Sequence, residues 1–145
     1  MPRPNRSRPL PRPPTSAPRQ FVNWLICRYR VLSRALAWIG ALAIVILSVV
    51  PAVDRPITGV GQSFEHFTAF ALVAGTFAIG YRLSLIRLLL LAVLFCGFVE
   101  LLQVPLPTRH ARVSDFSIDL VGSWVAIGFV VASEYLSGVR DGPLR

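Results

Sequence analysis

The chain contains no lysine; all fifteen of its basic residues are arginines. Charge of either sign is scarce, at 15% of residues against about 25% in ordinary soluble domains. With 54% hydrophobic residues, a water-soluble fold of this size lacks the polar surface it needs, and insertion in a bilayer removes that need. Two cysteines, Cys27 and Cys96, provide no disulfide framework. Cys96 lies in the middle of an apolar run, where a cysteine ordinarily serves packing, and neither thiol reaches an oxidising compartment in the topology argued below. HExxH and paired-cysteine spacings are missing too, so neither a metal nor a cofactor is expected. No internal repeat and no strand-like alternation occurs.

What is present is distributed unevenly. Eight arginines (Arg3, Arg6, Arg8, Arg12, Arg19, Arg28, Arg30 and Arg34) precede the first long apolar run. A net charge of +8 raises nucleic-acid binding as a possibility. The basic segment, however, is proline-rich, lacks interleaved aromatics before Phe21 and abuts an apolar helix. It therefore reads as a cytosolic retention signal lying near anionic lipid, with no nucleic acid as partner. Met1 to Gln20 holds seven of the twelve prolines and no acid, which predicts a disordered tail. The prolines oppose the amphipathic helix of a mitochondrial transit peptide, and the long basic region favours an uncleaved anchor over a signal peptide.

Four apolar runs follow. Ala35 to Val53 is nineteen uncharged residues, close to the ~20 that cross a hydrocarbon core, with Pro51 and Pro56 to end it. Phe67 to Tyr81 is bounded by His66 and Arg82. Leu88 to Val99 opens the third run, apolar through Leu102 apart from Glu100, and Leu120 to Ser133 forms the fourth, between Asp119 and Glu134. A soluble bundle of four buried helices fails on periodicity, because Leu88 to Val99 is apolar all round and leaves no face for water. The fold expected is an all-α membrane protein, a bundle of four transmembrane helices over residues 32–137. The Arg/Pro-rich tail and juxtamembrane segment occupy 1–31, and a second cytoplasmic tail 138–145.

Direction follows from the arginines. With the N-terminus inside, inner segments hold twelve (the eight above with Arg82, Arg87, Arg140 and Arg145), and outer loops only Arg55, Arg109 and Arg112. The positive-inside rule then places both termini in the cytoplasm. Tyr81 and Tyr135 fall at the inner interface, Phe64 and Trp124 near the outer one.

The polar residues gather at one end. Only twelve residues of helix 3 separate Arg87 from Glu100, about 18 Å, so Glu100 must lie within the membrane. The same holds more weakly for Asp119, and carboxylates so placed are turned inward, paired or protonated. Glu100 and Gln103 share a face at i, i+3. Asp115, Asp119, Gly122 and Ala126 form one stripe, on which Gly122 and Ala126 permit close helix approach and Leu120 faces another side. Ser114 suits an N-cap, with Asp115 in the first turn. On helix 2, His66, Phe70, Val73 and Phe77 share a face.

This constellation resembles the VanZ-like family of bacterial membrane proteins over about Asp54 to Gly128. The family pattern runs Asp-Lys-x-x-His at helix 2, Glu-x-x-Gln late in helix 3, then Arg-x5-Asp-x3-Asn-x2-Gly into helix 4. His66, Glu100-Leu-Leu-Gln103, Arg109, Asp115 and Gly122 match in order and spacing. Gln62 and Ser63 stand at the Asp-Lys positions, with Glu65 the nearest acid, and Asp119 stands at the Asn position. The resemblance implies a multi-pass protein of the bacterial inner membrane, with a founding member linked to glycopeptide tolerance. It implies no settled reaction, substrate or cofactor.

Three readings of the cluster His66, Glu100, Gln103, Arg109, Asp115 and Asp119 remain open. It binds or modulates an envelope component at the outer face, such as a lipid-linked or anionic headgroup, with Arg109, His110 and Arg112 as donors. Alternatively, His66 with Glu100 and Asp119 performs acid–base chemistry as an intramembrane enzyme; a metal held by the same three lacks supporting spacing. A transporter would require an oligomer, and the oligomeric state is not legible. Against all three stands a purely structural network, in which Arg109 neutralises Asp115 or Glu100.

Overall fold

A computed structural model describes residues 17–50, 61–105 and 113–138, with side chains from Cys27 onward. Among the described residues the helices are four: α1 (Ala17–Val49), α2 (Gln62–Gly80), α3 (Leu85–Gln103) and α4 (Val113–Leu136). Among the described residues, three segments are long and apolar enough to cross a membrane: Cys27–Val49 of α1, Leu85–Gln103 and Val113–Leu136. Helix α2 stands apart because Gln62, Glu65 and His66 occupy its first turns. It packs most extensively on α4, then on α1, and also touches α3, whereas α3 lies chiefly against α4. The helix without so long an apolar stretch is thus the one that packs most extensively on its neighbours.

The three apolar spans bury little of themselves. Within an 18-residue stretch of each, 22% of the residues are buried in α1 and in α3, and 33% in α4. Leu36, Ile39, Leu42 and Ile46 of α1, Ile86, Leu90 and Leu94 of α3, and Val121, Val125 and Phe129 of α4 are exposed. Water would oppose that much open apolar surface, whereas lipid accepts it. Hydroxyls behave accordingly: Ser33, Ser48, Thr76 and Ser137 each donate to the carbonyl four residues back, at 2.6–2.9 Å.

Several boundaries depart from expectation. Helix α1 starts at Ala17, so the last four residues of the tail expected to be disordered are helical, and the helix runs unbroken through residue 31. Pro18 is compatible because a proline in the first turn forfeits no helical hydrogen bond. Residues 1–16 and 139–145 lie outside the described residues. Cys27 lies within α1 and is exposed, eight residues before the uncharged run that opens at Ala35. The helix stops at Val49, two residues before Pro51, instead of reaching Val53.

Helix α4 begins at Val113, which makes Ser114 an internal residue and not the N-cap; its hydroxyl donates to Asp115 Oδ1 at 3.2 Å. Asp115 does lie in the first turn. Because α4 starts seven residues before Leu120, Trp124 falls midway along it and not near an end.

Two apolar clusters hold the bundle together. Ala78, Leu88, Ala92, Ile127 and Val131 join α2, α3 and α4, and Phe70, Cys96 and Val99 join α2 and α3. Leu120 packs against both, so it faces the core and not the other side anticipated for it.

Candidate functional site

The approach of α2 to α4 builds the site. Gly122 lies against the α2 backbone, where an added Cβ would stand 2.5 Å from the carbonyl oxygen of Phe67. One turn further, a Cβ on Gly75 would meet that of Ala126 at ordinary contact distance, 3.6 Å. The stripe of Asp119, Gly122 and Ala126 therefore forms the seam with α2, as its small residues suggest.

Beside that seam, Nδ1 of His66 lies 3.1 Å from Oδ1 of Asp119. Asp119 is 2% exposed and His66 15%. With Asp119 ionised, Nδ1 carries the proton and donates it to the carboxylate. The imidazole is nearly parallel to the Phe70 ring at 6.5 Å, and Phe70 packs on Phe95 of α3 at 5.7 Å, which fixes the His66 face of α2 against α3.

Gln103 is 5% exposed, on the inward stripe of α3 that also carries Cys96 and Val99. Glu100 is half-buried, with Oε1 removed from solvent. Both lie in the last turn of α3, and the pair lies in the first two turns of α2 and α4, so all four belong to one end of the bundle. Asp115 is half-buried one turn before Asp119. Of the cluster, His66 and Asp119 are joined across two helices by this hydrogen bond. Arg109, His110 and Arg112 lie outside the described residues. Among the described residues, no three His, Cys, Asp or Glu side chains gather as a metal-binding set, so His66, Glu100 and Asp119 do not converge as ligands.

Sequence reading passed over two polar features. Ser123 donates to the Asp119 carbonyl at 2.8 Å and its oxygen lies 3.9 Å from the sulfur of Cys96, which ties α4 to α3 just beneath the pair. Its signal was its place four residues after Asp119. At the opposite end, Arg34 donates from Nε to the Gly80 carbonyl at 2.9 Å, and Trp38 donates to the Tyr81 hydroxyl at 2.9 Å. The signal there was the change from Gly80 to Tyr81-Arg82 at a helix end. Comparison with protein-family models, curated proteins and solved structures gives no match.

Proposed function

We propose that the chain is a VanZ-like integral protein of the bacterial inner membrane that binds or modulates a cell-envelope component through the end of the bundle bearing His66 and Asp119. In this reading all four helices span the bilayer, both termini are cytoplasmic, and the site faces outward. The observation that carries it is the His66–Asp119 hydrogen bond: an ionisable pair enclosed between apolar helices is costly, and such groups ordinarily mark function. Gln103 and Glu100 at the same end supply further polar groups, and Arg109 follows closely in sequence. An envelope ligand with phosphate or hydroxyl groups suits these partners. Glycopeptide tolerance is the phenotype that the family resemblance suggests.

One observation favours a second reading. The 3.1 Å hydrogen bond orients an imidazole against a buried carboxylate, a pairing that general acid–base catalysis uses, so an intramembrane enzyme acting on a lipid-linked substrate is the alternative. A transporter built from several copies has no comparable support.

The test is complementation of a deletion strain with Glu100→Gln, scored as survival in graded teicoplanin with protein levels matched. Loss of tolerance at wild-type abundance is expected, because the substitution keeps hydrogen bonding but removes charge and proton transfer. Full tolerance would refute an essential role for that carboxylate.

A further inference from the structure

The opposite end of the bundle carries a cluster that the proposed function does not use. Arg34 is held there on two sides. Its Nε donates to the carbonyl of Gly80, the last residue of α2, and its guanidinium carbon lies 4.8 Å from the centre of the Tyr81 ring. Tyr81 is fixed in turn: its ring stacks on Phe77 at 5.1 Å, and its hydroxyl accepts a hydrogen bond from Trp38 Nε1. The Gly80 backbone makes the approach possible, since a Cβ there would stand 2.9 Å from Arg34 Cγ and 3.1 Å from the Arg34 backbone nitrogen.

Helix capping uses only part of this arrangement. The Gly80 carbonyl takes one of the five N–H donors of a guanidinium, which leaves the four on the two Nη atoms unspent among the described residues. The Tyr81 oxygen already accepts from Trp38, so its own proton is free to point elsewhere. Arg34 is exposed, and Trp38 beside it is 59% exposed. A rigidly oriented fork of donors next to an amphipathic indole, at the end of an apolar span, matches a phosphate above acyl chains.

Charge points the same way. Among the described residues, Arg28, Arg30, Arg34, Arg82 and Arg87 lie at this end with Glu134 as the one acid, while Glu65, Glu100, Asp115 and Asp119 all lie at the other. We infer that Arg34 and Tyr81 form a binding site for the phosphate of an anionic glycerophospholipid, with Trp38 packed against its acyl–glycerol region. The site is independent of the His66–Asp119 end.

The experiment uses the full chain in dodecyl maltoside, with bound lipid read by native mass spectrometry and by the shift in unfolding temperature. Phosphatidylglycerol, phosphatidylcholine and inorganic phosphate are titrated in parallel. Wild type is expected to prefer phosphatidylglycerol over phosphatidylcholine at least tenfold and to give no shift with inorganic phosphate. Arg34→Gln should abolish the preference, and Tyr81→Phe, which keeps the ring, should weaken it severalfold. Arg87→Gln, an equal loss of charge at the same end, should leave it intact. Should Arg34→Gln not fold, Tyr81→Phe decides, and an unchanged preference there would overturn the site. Equal binding of the two lipids, or equal losses in Arg34→Gln and Arg87→Gln, would reduce it to diffuse surface charge and refute it. A shift with inorganic phosphate as large as that with phosphatidylglycerol would refute the lipid as ligand.

Discussion

His66 and Asp119, 53 positions apart in sequence, are joined by a 3.1 Å hydrogen bond beside the place where Gly122 of α4 lies against the α2 backbone. Phe67, next to His66, is the residue whose backbone Gly122 touches, three positions after Asp119. The polar pair and the glycine contact are therefore one joint. The glycine brings the helices near enough for the short aspartate side chain to reach the imidazole, and the hydrogen bond fixes the register in which the glycine fits.

The glycine half of the joint can be tested by volume. Gly122→Ala places a Cβ 2.5 Å from a backbone oxygen, so the helices must separate, and a loss of about 1–3 kcal/mol is expected. Gly128 on the same helix has nothing within 4 Å of its added Cβ and serves as the control, where alanine should be neutral or mildly stabilising. Thermal unfolding in detergent checks both; equal effects at the two sites would contradict the close approach.

The polar half can be tested by a double-mutant cycle. His66→Ala and Asp119→Ala should each destabilise, by about 1.5–3 kcal/mol for a hydrogen bond to a charged group. Their combination should cost less than the sum by about 0.5–3 kcal/mol. Strict additivity in unfolding measurements would mean that the two side chains do not interact.

Much of this joint was legible in the sequence, and the reason is physical. A carboxylate within an apolar helix must turn inward, and small residues at i+3 and i+7 mark the face that another helix approaches, so the stripe of Asp119, Gly122 and Ala126 could be read without coordinates. Which residue Asp119 would meet could not: His66 and Glu100 were both grouped with it, and only the rotation of α2 about its axis selects His66. Leu120 was misplaced because the stripe was taken as the whole buried face, whereas α4 is wedged between α2 and α3 and buries a wider arc. Ser114 failed as a cap because Val113 already lies in the helix, and helix ends are set by local hydrogen bonding that hydrophobic pattern does not record. Arg34 was counted for topology alone, since its partner Gly80 is 46 residues distant and bonds through a backbone carbonyl that no side-chain pattern reveals.

Direction in the membrane is tested by enzyme fusions. Alkaline phosphatase joined after Asp54 or Arg112 should be active and after Arg82 inactive, in keeping with the division of arginines between the two sides. The reverse pattern would turn the bundle over and place His66 and Asp119 at the cytoplasmic face.

The most direct measurement is complementation of a deletion strain by His66→Asn, with abundance and unfolding temperature recorded alongside teicoplanin survival. An asparagine amide N–H stands close to the place of the imidazole Nδ1 and can donate to Asp119, so the joint between α2 and α4 is kept while the imidazole is removed. The expected result is a protein of normal abundance, with a shift of only a few degrees in unfolding temperature, that fails to restore survival. Full survival at normal abundance would contradict the account, because the pair would then serve only to hold two helices together.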